Sequence, residues 1–127
     1  MFRSKSSHSI DPKGRIIIPA RFRKVLEADG EKEIVITPKD GCLYAYTFSA
    51  WKDLEQRILA TKSAAMAVLK RTFIGKSCQL KCDKQDRILI PKELRDDAGI
   101  EKEVVLVGVL DRFEFWSKER WDQEDLN

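Results

Sequence analysis

Apolar residues along this chain fall into short patterns, and the order of those patterns occurs twice. Residues 16–18 and 88–90 are β-branched or leucine runs, too short for helices and stopped by Pro19 and Pro91, so they predict strands. Each proline sits where a short helix begins, since a first helical turn tolerates proline. Phe22, Val25 and Leu26 give the first helix its apolar side, and Leu94 and Ala98 do so for the second. Asp29-Gly30 and Ala98-Gly99 mark the helix ends. Two strands follow each helix, at 34–37 with 43–47 and at 104–107 with 113–116. Turns at Pro38-Lys39-Asp40-Gly41 and at 108–112 join them. A further helix comes after each pair, at 49–60 with Ser49 as N-cap and at 117–125 with Ser117 as N-cap. Only the first half carries an extra helix, over about residues 63–70, which links the halves.

The halves match residue by residue. Asp11-Pro12-Lys13-Gly14-Arg15-Ile16-Ile17-Ile18-Pro19 returns 72 positions later as Asp83-Lys84-Gln85-Asp86-Arg87-Ile88-Leu89-Ile90-Pro91, and the match runs on through Arg23 and Arg95. The offset then becomes 70. There Glu31-Lys32-Glu33-Ile34-Val35 matches Glu101-Lys102-Glu103-Val104-Val105, and Leu43, Tyr46 and Trp51 match Phe113, Trp116 and Trp121. The fold class is therefore α+β, mostly β with short helices, built from two tandem β-α-β-β repeats. Repeat one covers 1–60, a helical connector 61–74 and repeat two 75–127, all in one pseudo-twofold domain. A unit of about 60 residues buries only about 60% of its surface, so a shared core or an oligomer is expected. The two halves are expected to interleave their strands about a pseudo-twofold axis.

Composition narrows the function. The chain of 127 residues has no apolar run of membrane-spanning length, and its polar N-terminal stretch lacks the apolar core of an export signal. Cys42, Cys78 and Cys82 then read as reduced thiols in a cytoplasmic protein. The net charge is only +3, but residues 1–24 carry +6 and the remainder −3. A cationic end on a slightly acidic body points to a polyanion partner, beside the plainer possibility of a solvated basic face.

Candidate chemistry centres on Asp-x-x-x-Arg. In a tight turn entering a strand, the carboxylate can fold back on backbone N–H groups or on the guanidinium and fix the arginine's orientation. An oriented guanidinium takes phosphate bidentately or reads guanine in a major groove. A turn-stabilising ion pair that touches no ligand is the alternative. Arg15 and Lys13 are the leading candidates for DNA contact, with Arg3, Lys5, Arg21 and Arg23 as phosphate partners and Arg87 as the second-copy counterpart. Arg21 or Arg23 could instead pair within the protein or with a neighbouring subunit. Asp11 and Asp83 hold the motifs, since a carboxylate repels phosphate. Asp86 lowers the local field at Arg87, so copy one is expected to carry most of the binding. His8 is a lone histidine, Cys78-x-x-x-Cys82 falls short of a four-ligand zinc set, and no catalytic motif is present, so neither a metal nor an enzymatic site is expected. The aromatic residues Phe48, Trp51, Phe113, Phe115, Trp116 and Trp121 fit core or subunit packing better than base stacking.

Taken together, these segments resemble the MraZ family, relatives of the AbrB-type swapped-hairpin DNA-binding proteins. The resemblance rests on Met1-Phe2-Arg3, on His8-Ser9-Ile10-Asp11-Pro12-Lys13-Gly14-Arg15 and on Ile18-Pro19-Ala20-Arg21-Phe22-Arg23. In the second half it rests on the run from Asp83 to Pro91 and on Arg112-Phe113-Glu114-Phe115-Trp116. It implies a double-split β-barrel of swapped hairpins and a closed homo-oligomeric ring of about eight subunits. It also implies binding to short direct repeats in double-stranded DNA, upstream of a division and cell-wall gene cluster. The regulator would act mainly as a repressor, nucleoid-associated in the cytoplasm, with no cofactor, small-molecule ligand or membrane. Two positions depart from the family pattern: Asp86 and Ser4 stand where glycine is usual, and aspartate tolerates positive φ less well than glycine. The competing reading is an antitoxin-like or scaffolding module on the same fold, whose partner is a protein; the basic N-terminal segment and the lack of a long acidic tail favour DNA.

Overall fold

The computed structural model describes residues 1–30 and 32–125, without the side chain of Asp125. Glu31, where the second stretch of repeat matching begins, and residues 126–127 at the end of repeat two lie outside the described residues. Repeat one folds as β1 (Lys5–Ser9), β2 (Arg15–Ile17), α1 (Ala20–Ala28), β3 (Glu33–Lys39), β4 (Cys42–Thr47) and α2 (Phe48–Ala60). The connector holds α3 (Ala64–Leu69) and a π-helical turn (Lys70–Ile74). Repeat two repeats the order with β5 (Cys78–Lys81), β6 (Arg87–Leu89), α4 (Lys92–Ala98), β7 (Glu103–Gly108), β8 (Phe113–Ser117) and α5 (Lys118–Asp125). The result is an α+β fold with antiparallel sheets and short helices. No helix among the described residues is long and apolar enough to cross a membrane.

The strands of the two repeats interleave. One six-stranded antiparallel sheet runs β1-β7-β8-β4-β3-β5, and a separate two-stranded ribbon pairs β2 with β6. Exchanging the repeats maps this order onto itself. The first strand of each copy pairs with the third strand of the other, β1 with β7 and β5 with β3. Matched residues face each other at both central pairings: Ile16 opposes Ile88 in the ribbon, and Tyr44 opposes Glu114 where β4 meets β8.

One main core lies between the ribbon, the sheet and the helices α1 and α4. Ile16, Ile18, Ile88 and Ile90 enter it from the ribbon, Phe22, Leu26, Leu94 and Ala98 from the helices, and Ile34, Ile36, Leu43, Leu106, Phe113 and Phe115 from the sheet. Phe22 stacks on Phe113 with centroids 4.5 Å apart, and Phe2 meets the same ring at 5.0 Å. On the sheet's other face Trp51 stacks on Phe73 at 5.4 Å beside Tyr46, and Trp116 packs edge-on against Trp121. Core and interior packing thus accounts for most of the aromatic residues.

Several local features differ from the sequence reading. Each repeat has one more strand than the β-α-β-β pattern, because β1 and β5 precede the motif. β1 is Lys-Ser-Ser-His-Ser, with no apolar residue; its ladder with β7 is a backbone interaction that hydropathy does not register. The first hairpin turn is tighter than expected. β3 runs to Lys39, Pro38 pairs with Leu43, and only Asp40 and Gly41 turn, both at positive φ (53° and 81°), as a two-residue hairpin of this hand requires. Pro38 lacks an N–H, and it is tolerated there because β5 pairs β3 only from Glu33 to Ile36. Thr47, not Ser49, caps α2: its hydroxyl accepts from the Ala50 N–H at 3.1 Å. Ser117 does cap α5, accepting from the Arg120 N–H at 3.1 Å.

Candidate nucleic-acid interface

Each Asp-x-x-x-Arg motif is a closed loop that delivers its arginine into the ribbon. In copy one Asp11 Oδ1 accepts from the N–H groups of Lys13 and Arg15 at 3.0 and 2.8 Å, and Oδ2 accepts from Arg15 Nε at 2.6 Å. In copy two Asp83 does the same with Gln85 and Arg87, at 2.8 and 3.0 Å, and with Arg87 Nε at 3.0 Å. The backbone closes both loops identically: Asp11 donates to Arg15 O and Asp83 to Arg87 O, at 2.9 and 2.8 Å. The Arg15 and Arg87 N–H bonds are the first cause that holds the Asp11 and Asp83 carboxyls below the usual carboxylate range, so both are ionised near neutrality. In each arginine the carboxylate occupies Nε. Among the described residues no partner engages the two terminal nitrogens of either guanidinium.

The copies complete each other. Gly14 O accepts from the Ile90 N–H and Asp86 O from the Ile18 N–H, both at 2.9 Å, so each motif is braced by the strand of the other copy. Arg15 and Arg87 therefore share one short ribbon, on the face opposite the buried Ile16 and Ile88. Lys13 is exposed in one loop and Lys84 in the other. Lys84 is not among the candidates read from sequence; its matched position in copy one is Pro12.

The remaining candidates separate. Arg3 and Lys5 are exposed, but Lys5 lies at the far end of β1 from the motif, about 13 Å of strand away from Ser9, and its ammonium sits 5.7 Å from the Trp121 ring centroid. The +6 segment is thus not one patch in space. Arg21 donates to the carbonyls of Arg3 and Ser4 at 3.1 and 3.3 Å and stacks over Phe22. Arg23 donates to Ile18 O, as the matched Arg95 donates to Ile90 O. The recurrence of that arginine in the less basic copy was the sequence signal for an architectural place.

The Asp86 carboxylate pairs with side chains other than that of its neighbour Arg87. Its carboxylate takes the Lys32 ammonium at 2.8 Å and lies 3.5 Å from Arg23 Nε. The Lys32 hydrogen bond leads the causes that depress its pKa and in turn raises that of Lys32. Asp86 adopts φ 62° and Ser4 φ 71°, so both positions where glycine was expected do take the left-handed conformation. His8 bonds to the Ser6 hydroxyl, and burial pushes its pKa down. Among the described residues no group of His, Cys, Asp and Glu is arranged to hold a metal ion, and Cys42, Cys78 and Cys82 are free.

Fold and site together define a duplicated, strand-interleaved protein that presents two matched, carboxylate-oriented arginines on one β-ribbon. The chain belongs to the MraZ family: the model of that family, described as "MraZ protein, putative antitoxin-like", matches residues 1–71 and 73–124. It is 54% identical over 125 residues to a protein of Desulforapulum autotrophicum named Transcriptional regulator MraZ, covering 98% of this chain and 86% of the relative. Proteins of the same name from Desulfosudis oleivorans and Clostridium beijerinckii are 48% and 44% identical, covering 98% and 97% of this chain and 85% and 86% of their own lengths. The solution structure of PHS018 from Pyrococcus horikoshii aligns over 90% of this chain and 96% of its own, with a TM-score of 0.39 and 18% identity, which is too distant to carry fold or function across.

Proposed function

We propose that this chain is a sequence-specific, DNA-binding transcriptional regulator, mainly a repressor, which takes double-stranded DNA on the β2–β6 ribbon. The observation that supports this most is the matched pair of arginines: each is fixed through Nε by its own aspartate and keeps a free guanidinium end on one shared, exposed face. Arg15 and Arg87 read base edges or phosphate, Lys13 and Lys84 neutralise the flanking backbone, and Arg3 and Lys5 reach phosphates further out. Asp11 and Asp83 orient the arginines, while Arg21 and Arg23 brace the fold beneath them. We take residues 1–127 as one pseudo-twofold domain, with repeat one at 1–60, the connector at 61–74 and repeat two at 75–127. In this reading the sheet and ribbon close as a double-split barrel, and about eight copies form a ring that engages direct repeats upstream of a division and cell-wall gene cluster.

The test is a gel shift on the DNA upstream of the chain's own coding region, read beside the native mass from light scattering. Affinity should fall with salt at a log–log slope of about −0.9 per phosphate contacted, and a fragment with several repeats should bind far more tightly than one repeat. The mass should be several times that of one chain. No shift even at low salt would leave the competing protein-partner reading in its place.

A further inference from the structure

The outer face of the ribbon carries two apolar side chains that the fold does not need there. Ile17 and Leu89 are each 54% exposed, whereas their strand neighbours Ile16, Ile18, Ile88 and Ile90 are at most 1% exposed. A polar residue at either position would leave the core untouched. The two positions are the same position in the two repeats, yet at nearby exposed positions the copies have diverged: Pro12 against Lys84 and Lys13 against Gln85. The apolar character has stayed where the neighbouring solvent positions have not held theirs.

Register places each of these side chains beside a guanidinium. Arg15 opposes Leu89, and Ile17 opposes Arg87, so the exposed face is a quartet in which each apolar side chain lies across from an arginine. Strands lie about 4.8 Å apart and alternate residues along a strand about 6.7 Å apart. That patch spans about two base-pair steps, and a two-stranded ribbon is of a width that a major groove admits. The cationic surround of Arg15, Arg87, Lys13 and Lys84 complements a polyanion. It opposes the close stacking of a second copy's equally basic ribbon. In a major groove the apolar group that a base pair offers is the thymine C5 methyl.

We infer that Ile17 and Leu89 contact thymine methyl groups, each within about two base pairs of a guanine that faces Arg15 or Arg87. This rests on the DNA-binding reading above and adds thymine to what the ribbon selects. The experiment compares one upstream duplex with its deoxyuridine counterpart, which lacks only the methyl groups, against the parent chain and the double variant Ile17→Ala/Leu89→Ala at fixed salt. The parent should bind the uracil duplex about fourfold more weakly for each methyl contacted, the effect of leaving one buried methyl in water. The double variant should bind both duplexes equally, with unchanged native mass and melting temperature. Equal binding of both duplexes by the parent overturns the inference while leaving the DNA-binding reading intact. A uracil penalty that persists in the double variant also overturns it, since the penalty then belongs to the DNA. A double variant that loses its native mass overturns it in favour of a subunit contact, and a parent that binds neither duplex overturns both readings.

Discussion

Replacing Gly14 by alanine should loosen both halves of the ribbon at once. Gly14 adopts φ +95°, and a Cβ built there would stand 2.8 Å from Ile90 O and 2.9 Å from Arg95 Cζ and Nε. The left-handed backbone costs a side-chain-bearing residue about 1–2 kcal/mol. The Arg95 guanidinium could swing away, but it donates to Ile90 O at 3.0 Å, and that carbonyl belongs to the strand whose N–H is bonded to Gly14 O. Forcing these atoms apart is a local overpacking of about 1–3 kcal/mol. Alanine's smaller conformational freedom in the unfolded chain returns about 0.4–1 kcal/mol. The net loss is about 2–3 kcal/mol, which lowers the melting temperature of a chain of this size by roughly 10 °C. Thermal unfolding followed by circular dichroism gives the number. Gly30→Ala is the control, because Gly30 also has a positive φ (+132°) but a Cβ there meets nothing within 4 Å, so it carries the backbone cost without the close approach. A Gly14→Ala protein that melts within about 2 °C of the parent would refute the reasoning, since the close approach to Ile90 and Arg95 would then be freely relieved.

Further outcomes are expected. Arg15→Ala should lose about 1–3 kcal/mol of DNA affinity per productive contact and Arg87→Ala less, because residues 11–15 carry a net charge of +1 and residues 83–87 a net charge of 0; titration of both variants on one fragment would expose a reversed order. The Asp11 and Asp83 carboxyls are held below their ordinary values in the folded state, so their contribution is complete above about pH 4 and is lost as pH falls further. Melting temperature should drop there in the parent and less steeply in Asp11→Asn/Asp83→Asn. His8 is held neutral by burial, so its share is complete above about pH 6.5 and fades as pH falls through its depressed folded value; His8→Gln should remove that step from the melting profile. Thr47→Ala should cost about 1 kcal/mol in a urea titration and Ser49→Ala close to nothing, because only Thr47 caps α2.

What the sequence made legible follows from where the fold's information is apolar. The strands behind Pro19 and Pro91, both short helices and the paired strands after them announce themselves because each buries an alternating or one-sided apolar set. β1 is held by backbone bonds to β7 and has no such set, so nothing in Lys-Ser-Ser-His-Ser distinguishes it from a loop. The site was legible in its motif and not in its electrostatics. Asp86 stands next to Arg87 in sequence, but a left-handed backbone turns its carboxylate to Lys32 and Arg23, two residues that sequence distance gave no reason to join. Likewise the basic N-terminal run reads as one patch on paper, while strand geometry carries Lys5 away from Arg15. The matching of Arg23 with Arg95 held the opposite lesson: a basic residue that persists in both copies was holding a carbonyl.

The exchange of strands between the repeats sets the order in which this chain can acquire its shape during synthesis. Motif one is translated early, but among the described residues β2 has its ladder with β6 alone and β1 with β7 alone. Until residues 87–108 have left the ribosome, the first 86 residues contain two strands, β1 and β2, without their partners and an Arg15 loop without its brace. Contacts that span so much chain form slowly and leave apolar edges open meanwhile. A chain cut short before the second motif should therefore be silent as well as unstable, and only a nearly finished molecule can engage its target.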